Sequence, residues 1–157
     1  AGLAPTLSFQ PRLPGTSMRI LIAVDGSAVA VRATRYAGRL ALALKDAPQV
    51  TLLNVDAPLL KTVAVELGIQ TVAKYHADNG AYALRAAKSA LNRLGVAHAV
   101  QLLVGDPAEG IVKQARAGKF DLVVMGSHGR SAFQSVFLGS VATKVLSHSQ
   151  TPVAIVR

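Results

Sequence analysis

A chain of 157 residues is long enough for one domain with its own core and short for two, and at 51% hydrophobic it is too apolar to be disordered. Only 4% is aromatic and Trp is absent, so the core must be aliphatic; Cys is absent too, which excludes disulfides, thiolate metal sites and cysteine nucleophiles and permits a reducing compartment. Seventeen Lys and Arg against eight Asp and Glu leave a net charge of +9, a field that attracts polyanions, nucleotides or anionic membranes.

The basic residues are scattered (Arg32, Arg35, Arg39, Lys61, Lys74, Arg85, Lys88, Arg93, Lys113, Arg116, Lys119) and form no dense run, so nucleic-acid binding has no motif behind it. No apolar run approaches the roughly 18 residues of a membrane span, and the N-terminus lacks the basic-then-apolar order of a secretory signal. The expectation is a soluble, cytoplasmic protein.

Residues 1–17, "AGLAPTLSFQPRLPGTS", carry three prolines and two glycines without periodicity, and are expected to form a loose arm, an extension or an expression remnant ahead of one domain over 18–157. "RILIAV" from Arg19 reads as a buried strand ending at "DGS". Ser27 to Lys45 places Val31, Tyr36, Leu40 and Leu44 at helical spacing, with arginines on another face. "VTLLNV", Val50 to Val55, is a second buried strand. Leu59 to Leu94 has helical character, with Gly68 and Gly80 as candidate breaks and Gly95 as its end. "VAHAVQLLV" gives a third strand whose alternation fades into an apolar end.

"GDPAEGIVKQAR" starts a helix with Asp106 as cap, Pro107 at the first helical position and Glu109 placed to complete a capping box. "FDLVVM" is a fourth strand, Gly139 to Ser149 a helix, and "TPVAIVR" a terminal strand. Strands alternating with helices imply an α/β fold, a five-stranded parallel doubly wound sheet with helices on both faces. Its expected strand order is 3-2-1-4-5, which puts a ligand crevice at the carboxyl ends of strands 1 and 4, where the order reverses.

Two loops meet at that crevice. "MGSHGRS" and the following helix space Gly126, Gly129, Gly139 and Ser140 as G-x2-G-x9-G-S. Glycines permit positive φ and let backbone approach a ligand, while the amides of Ser140, Val141 and Ala142 at a helix start, backed by its dipole, suit a phosphate. The Ser140 hydroxyl can cap that helix and donate to a phosphate oxygen. On the other lip, Asp25 ends strand 1, where a carboxylate either accepts from ribose hydroxyls, helps hold a phosphate-bound magnesium through water, or caps the following helix. There is no G-x4-G-K-[ST], and no G-x-G-x-x-G follows strand 1.

"ILIAVDGS", "GDPAEGIVKQAR", "DLVVMGSHGRSAFQSVFLGSVATKVL" and "TPVAIVR" together resemble the universal stress protein family in its ATP-binding branch, over Arg19 to Arg157. The resemblance implies a Rossmann-like fold related to the adenine nucleotide α-hydrolases and a site for ATP or AMP, with Mg2+ carried on the phosphates near Asp25. It implies that Asp25 holds the ribose and that the main chain of Val55 and the strand end at Ala23 and Val24 meet the adenine. Met125, Gly126, Gly129, Arg130, Gly139, Ser140 and Val141 would then surround ribose and phosphates. It also implies a homodimer through Pro152 to Arg157, an apolar edge strand that invites pairing with its twin. The chain departs from the family where proline is common at Ala23, histidine at Asn54, and a glycine and a basic residue at Ala132 and Ser135.

The histidines (His76, His98, His128, His148) share no helical spacing or carboxylate set that marks a metal site, and His128 reads as a solvent-facing loop residue. Tyr36, Tyr75 and Tyr82 read as packing a helix face. Without a G-x-S-x-G elbow, a general base or a catalytic lysine placed by motif, the chain reads as a stress-response binding or signalling module with at most slow ATP hydrolysis or autophosphorylation. One rival is an ATP-cleaving enzyme of the adenine nucleotide hydrolase type, which would carry S-G-G-x-D-S after strand 1 where this chain has "VDGSAVA". The other is a family member that has lost its nucleotide and works as a protein-interaction module.

Overall fold

A computed structural model describes residues 17–130 and 137–157. The arm expected over residues 1–17 therefore lies outside the described residues except for Ser17, and so do Ala132 and Ser135. The elements run β1 (Arg19–Ala23), α1 (Ala28–Ala43), β2 (Gln49–Asp56), α2 (Lys61–Leu67), α3 (Ile69–Leu94), β3 (His98–Val104), α4 (Pro107–Ala117), β4 (Leu122–Gly126), α5 (Ser140–His148) and β5 (Val153–Val156). All four strand pairings are parallel and the order is β3-β2-β1-β4-β5, as the alternation predicts.

Alternation along β1 divides the core. Ile20, Ile22 and Val24 turn to one face, packing with Leu52 and Val124 against α1 and α3; Leu21 and Ala23 turn to the other, packing with Leu53 and Val123 against α4 and α5. The buried stripe of α1 is not the one its large apolar residues suggest. Ala30, Ala33, Ala37, Gly38 and Ala41 face inward while Tyr36 is exposed, because α1 lies close on α3: a β-carbon at Gly38 would sit 2.7 Å from Leu94 Cδ1. Tyr75 and Tyr82 are exposed as well, so none of the three tyrosines packs a core face.

The two candidate helix breaks behave differently. Gly68 adopts φ +78° and separates α2 from α3, whereas Gly80 stays helical and buried. A side chain at Gly80 would strike Leu102 of β3, 2.6 Å from its Cδ2, so this glycine serves close helix-to-sheet approach. Helical periodicity also overstates the core here: α2 has no buried residue, and Val65 and Ile69 are 82% and 90% exposed. The third strand starts two residues later than "VAHAVQLLV" suggests, because Val96 is taken up in closing α3, where Gly95 in the left-handed region passes the Val96 amide back to the Leu91 carbonyl.

At α4, Asp106 caps by accepting from the Glu109 amide at 2.9 Å and Pro107 opens the helix. Glu109 does not reach back. Its carboxylate lies 2.6 Å from Lys113 one turn ahead, so only half of the capping box forms.

Candidate nucleotide site

Where β1 and β4 diverge, their carboxyl ends open into a cavity of about 510 Å³. Ala23, Val24 and Asp25 enter it from β1, Val55 from β2, Met125, Gly126, Gly129 and Arg130 from β4 and its loop, and Gly139, Ser140 and Val141 from the start of α5. All the residues singled out by spacing and resemblance thus share one cavity, though they come from four places in the chain.

The β1 lip is organised by short hydrogen bonds. Ser27, not Asp25, caps α1, its Oγ accepting from the Ala30 amide at 3.1 Å. Asp25 Oδ1 accepts from the Ser27 amide at 2.9 Å, an arrangement that fixes the carboxylate, and Gly26 takes φ +86° to make the turn. The other oxygen, Oδ2, faces the β4 loop: a β-carbon at Gly129 would lie 3.1 Å from it. Buried Asn54 donates through Nδ2 to the Val24 carbonyl at 2.8 Å, tying the ends of β1 and β2 together.

On the β4 lip the glycines work by proximity. None of Gly126, Gly129 and Gly139 has positive φ, contrary to the conformational half of the expectation. A β-carbon at Gly126 would press within 2.9 Å of Val29 Cγ1 and 3.2 Å of the Ala30 amide nitrogen, so Gly126 lets α1 sit against the end of β4. Gly139 donates its amide to the Ser127 carbonyl at 2.7 Å, and a β-carbon there would meet His128 Cα at 3.3 Å. The chain on either side of the G-x9-G stretch is thereby tied together at Ser127 and Gly139.

Gly139 is also the N-cap of α5, so Ser140 is the first helical residue and not the capping residue expected. Among the described residues no side chain caps this helix. The amides of Ser140, Val141 and Ala142 therefore remain first-turn donors beside the cavity, at the positive end of the helix dipole. His128 is half-buried against the cavity, its Nδ1 2.7 Å from Ser127 Oγ, and is not the solvent-facing loop residue expected.

Sequence reasoning missed a polar cluster on the β2 side. Asp56 Oδ2 accepts from His76 Nδ1 at 2.7 Å and from Asn79 Nδ2 at 3.0 Å, both on α3 and 20 or more residues away. The only signal was adjacency, since Asp56 follows Val55 directly. Burial raises the Asp56 carboxyl, but the His76 and Asn79 hydrogen bonds, with the charges of His76 and Arg130, outweigh it and hold the group below the ordinary 3.8. A lowered carboxyl contributes stability that is complete above its unfolded value and is lost as pH falls through the folded one. Urea midpoints at pH 6 and pH 3 should therefore fall further for the wild type than for Asp56→Asn; equal losses would remove Asp56 from the acid response.

Helix α4 supplies a wall that spacing did not suggest. Pro107 and Ile111 line the cavity, and Gly110 brings α4 onto β2, since a β-carbon there would sit 2.9 Å from Val55 Cγ1. Among the described residues no group of three His, Cys, Asp or Glu is placed to hold a metal ion, and no helix is long and apolar enough to cross a membrane.

This geometry has counterparts. The protein is 31% identical over 139 residues to universal stress protein MJ0531 of Methanocaldococcus jannaschii, an alignment covering 88% of this chain and 81% of that one. It is also 31% identical to a universal stress protein of Mycolicibacterium smegmatis, of which it spans only 48%. Among solved structures, that of MJ0577, from the same archaeon, superposes with a TM-score of 0.75 at 28% identity, covering 88% of this chain and 94% of that one. A universal stress protein in complex with cAMP superposes at 0.66 with 26% identity, covering 89% and 97%. The Archaeoglobus fulgidus universal stress protein in complex with dAMP does so at 0.63 with 25%, covering 89% and 98%. A model of the Universal stress protein family matches residues 16–157, and the chain belongs to that family.

Proposed function

We propose that this protein binds an adenine nucleotide, ATP or AMP, and acts as a stress-response binding or signalling module with little or no turnover. One observation carries the reading: a fixed carboxylate, Asp25, and the start of α5, which no described side chain caps, line one cavity whose volume of about 510 Å³ falls within the roughly 300–1,000 Å³ of small-molecule sites. A ligand with hydroxyls at one point and an anionic group at another suits that pairing. The cAMP and dAMP complexes of related proteins support an adenine nucleotide as that ligand.

In this reading Asp25 Oδ2 accepts from the ribose, because Oδ1 is occupied by the Ser27 amide. The main chain of Val55 and the β1 end at Ala23 and Val24 hold the adenine, with Ile111 and Met125 as apolar walls. Gly126 and Gly129 admit the sugar and phosphates; Gly139, its own amide held by the Ser127 carbonyl, sets the start of α5 so that Ser140 and Val141 donate amides to the phosphates, and Arg130 adds charge. Mg2+ has no protein ligand set among the described residues and would be held by the phosphates, with Asp25 reached through water. We place the protein in the cytoplasm. We also assign it a homodimer through Pro152 to Arg157, because β5 ends the sheet and its apolar residues are only half-buried in the single chain.

Native mass spectrometry of the gently purified protein should show retained AMP or ATP and the mass of a dimer. In calorimetric titration with ATP and magnesium, Asp25→Ala should bind about 10- to 100-fold more weakly, the loss of a charged hydrogen bond worth about 1.5–3 kcal/mol. A folded wild type that carries no nucleotide and binds none at millimolar ATP would end the nucleotide reading and leave the fold intact.

A further inference from the structure

The edge of the sheet farthest from β5 carries a feature the nucleotide site does not use. There β3 is bordered on one side by β2 and on the other by no strand among the described residues. Its residues are unusually exposed for a parallel strand: Val100 and Leu102 are 40% and 45% exposed. Between β3 and α3 runs an open groove of about 660 Å³ with Leu84, Val100 and Leu102 on its floor and Arg85, Lys88 and Arg93 along its rim. None of its lining residues is acidic, and Arg85 is steadied by lying 5.2 Å from the centre of the Tyr82 ring.

The backbone adds to this. Gly105 donates to the Asp56 carbonyl of β2, so the residues in phase with it, Leu103 and Gln101, turn their amides and carbonyls inward. Val100, Leu102 and Val104 turn theirs outward. The residues that floor the groove therefore also offer a free ladder. We propose that this edge is a docking surface for an acidic, extended peptide segment of a partner protein, which adds a strand beside β3 and sets its carboxylates against Arg85, Lys88 and Arg93.

Charge decides among occupants. Pairing β3 with β3 of a second copy would bring two such cationic rims together on molecules of net charge +9. A nucleic acid would match the charge but not the floor, which is aliphatic and offers no ring for a base to stack on. An extended peptide matches the apolar floor, the cationic rim and the free ladder at once.

The test uses the full chain and a fluorescein-labelled peptide, Asp-Ile-Glu-Val-Asp-Val-Glu, with a twin carrying Lys at each acidic position. Anisotropy should show saturable binding of the acidic peptide and not of its twin, weakened at least about tenfold by Arg85→Glu/Lys88→Glu, two helix-surface changes that leave the fold and ATP binding unaltered. The lysine twin should in turn prefer that variant. Amide exchange at Val100, Leu102 and Val104 should slow when the acidic peptide binds. No binding below 1 mM peptide, equal binding to the charge-reversed variant, or displacement of the peptide by oligo-dT at lower concentration than by unlabelled peptide would each overturn the proposal.

Discussion

Gly139→Val should weaken adenine-nucleotide binding by about a hundredfold while leaving the protein folded, the loss of one or two charge-assisted donors worth about 1.5–3 kcal/mol each. Gly139 has extended backbone, φ −71° and ψ 163°, so valine meets no conformational strain there. What it meets is the opposite wall of the loop: His128 Cα 3.3 Å and Ser127 O 3.4 Å from the new β-carbon. The chain must give by a few tenths of an ångström at the point where the Gly139 amide is fixed on the Ser127 carbonyl. That displacement is transmitted to the Ser140 and Val141 amides, whose aim depends on the first turn of α5. Circular dichroism should show wild-type helix content, and calorimetry the loss of affinity. Unchanged affinity in the folded variant would mean that α5 does not hold the phosphates.

Ile22→Ala should cost about 2–5 kcal/mol of folding stability, the range for removing a large aliphatic side chain from a packed core. Ile22 is fully buried in the central strand, flanked by Leu52 of β2 and Val124 of β4 and packed beneath α1 and α3. Rigid strands on both sides leave little freedom to collapse into the space. Against a total stability of about 5–15 kcal/mol, such a loss moves the urea midpoint far toward zero. Ile22→Val, which removes one methylene, should cost only about 0.5–1.5 kcal/mol. Saturating nucleotide at about 100 times its dissociation constant should return about 2.7 kcal/mol to either variant by linkage. A cost below about 1 kcal/mol for the alanine variant would show a core able to close around the gap.

The alternation of strands and helices, the strand order it implies and the lips of the crevice were all legible in the chain. Buried parallel strands read as the unbroken runs "RILIAV" and "VTLLNV", and parallel crossovers admit few topologies. The spacing of Gly126, Gly129 and Gly139 survives in a linear reading because all three lie within one excursion from β4 to α5.

What escaped the sequence were the properties set by which helix lies against which strand. Small residues carry the buried stripe of α1 because α3 presses close, and no periodicity of large side chains can show that. Val65 in α2 and Ile69 at the start of α3 keep helical spacing yet are exposed, since no described residue covers this end of the helix pair. Asp56 and His76 meet only once α3 has been laid along β2, and Glu109 chooses Lys113 over its own helix cap in the finished turn. The sequence by itself determined the order of the layers and the chemistry offered at the crevice, because both follow from local pattern and short-range connection. The tertiary structure alone decided that Gly126, Gly129 and Gly139 act by close approach and not by positive φ, that α3 packs on α1 through the small residues of α1, and that β3 keeps an open edge among the described residues. Those depend on distances between segments far apart in the chain, whereas the hold of the Ser27 amide on Asp25 is local and shows only in the finished turn.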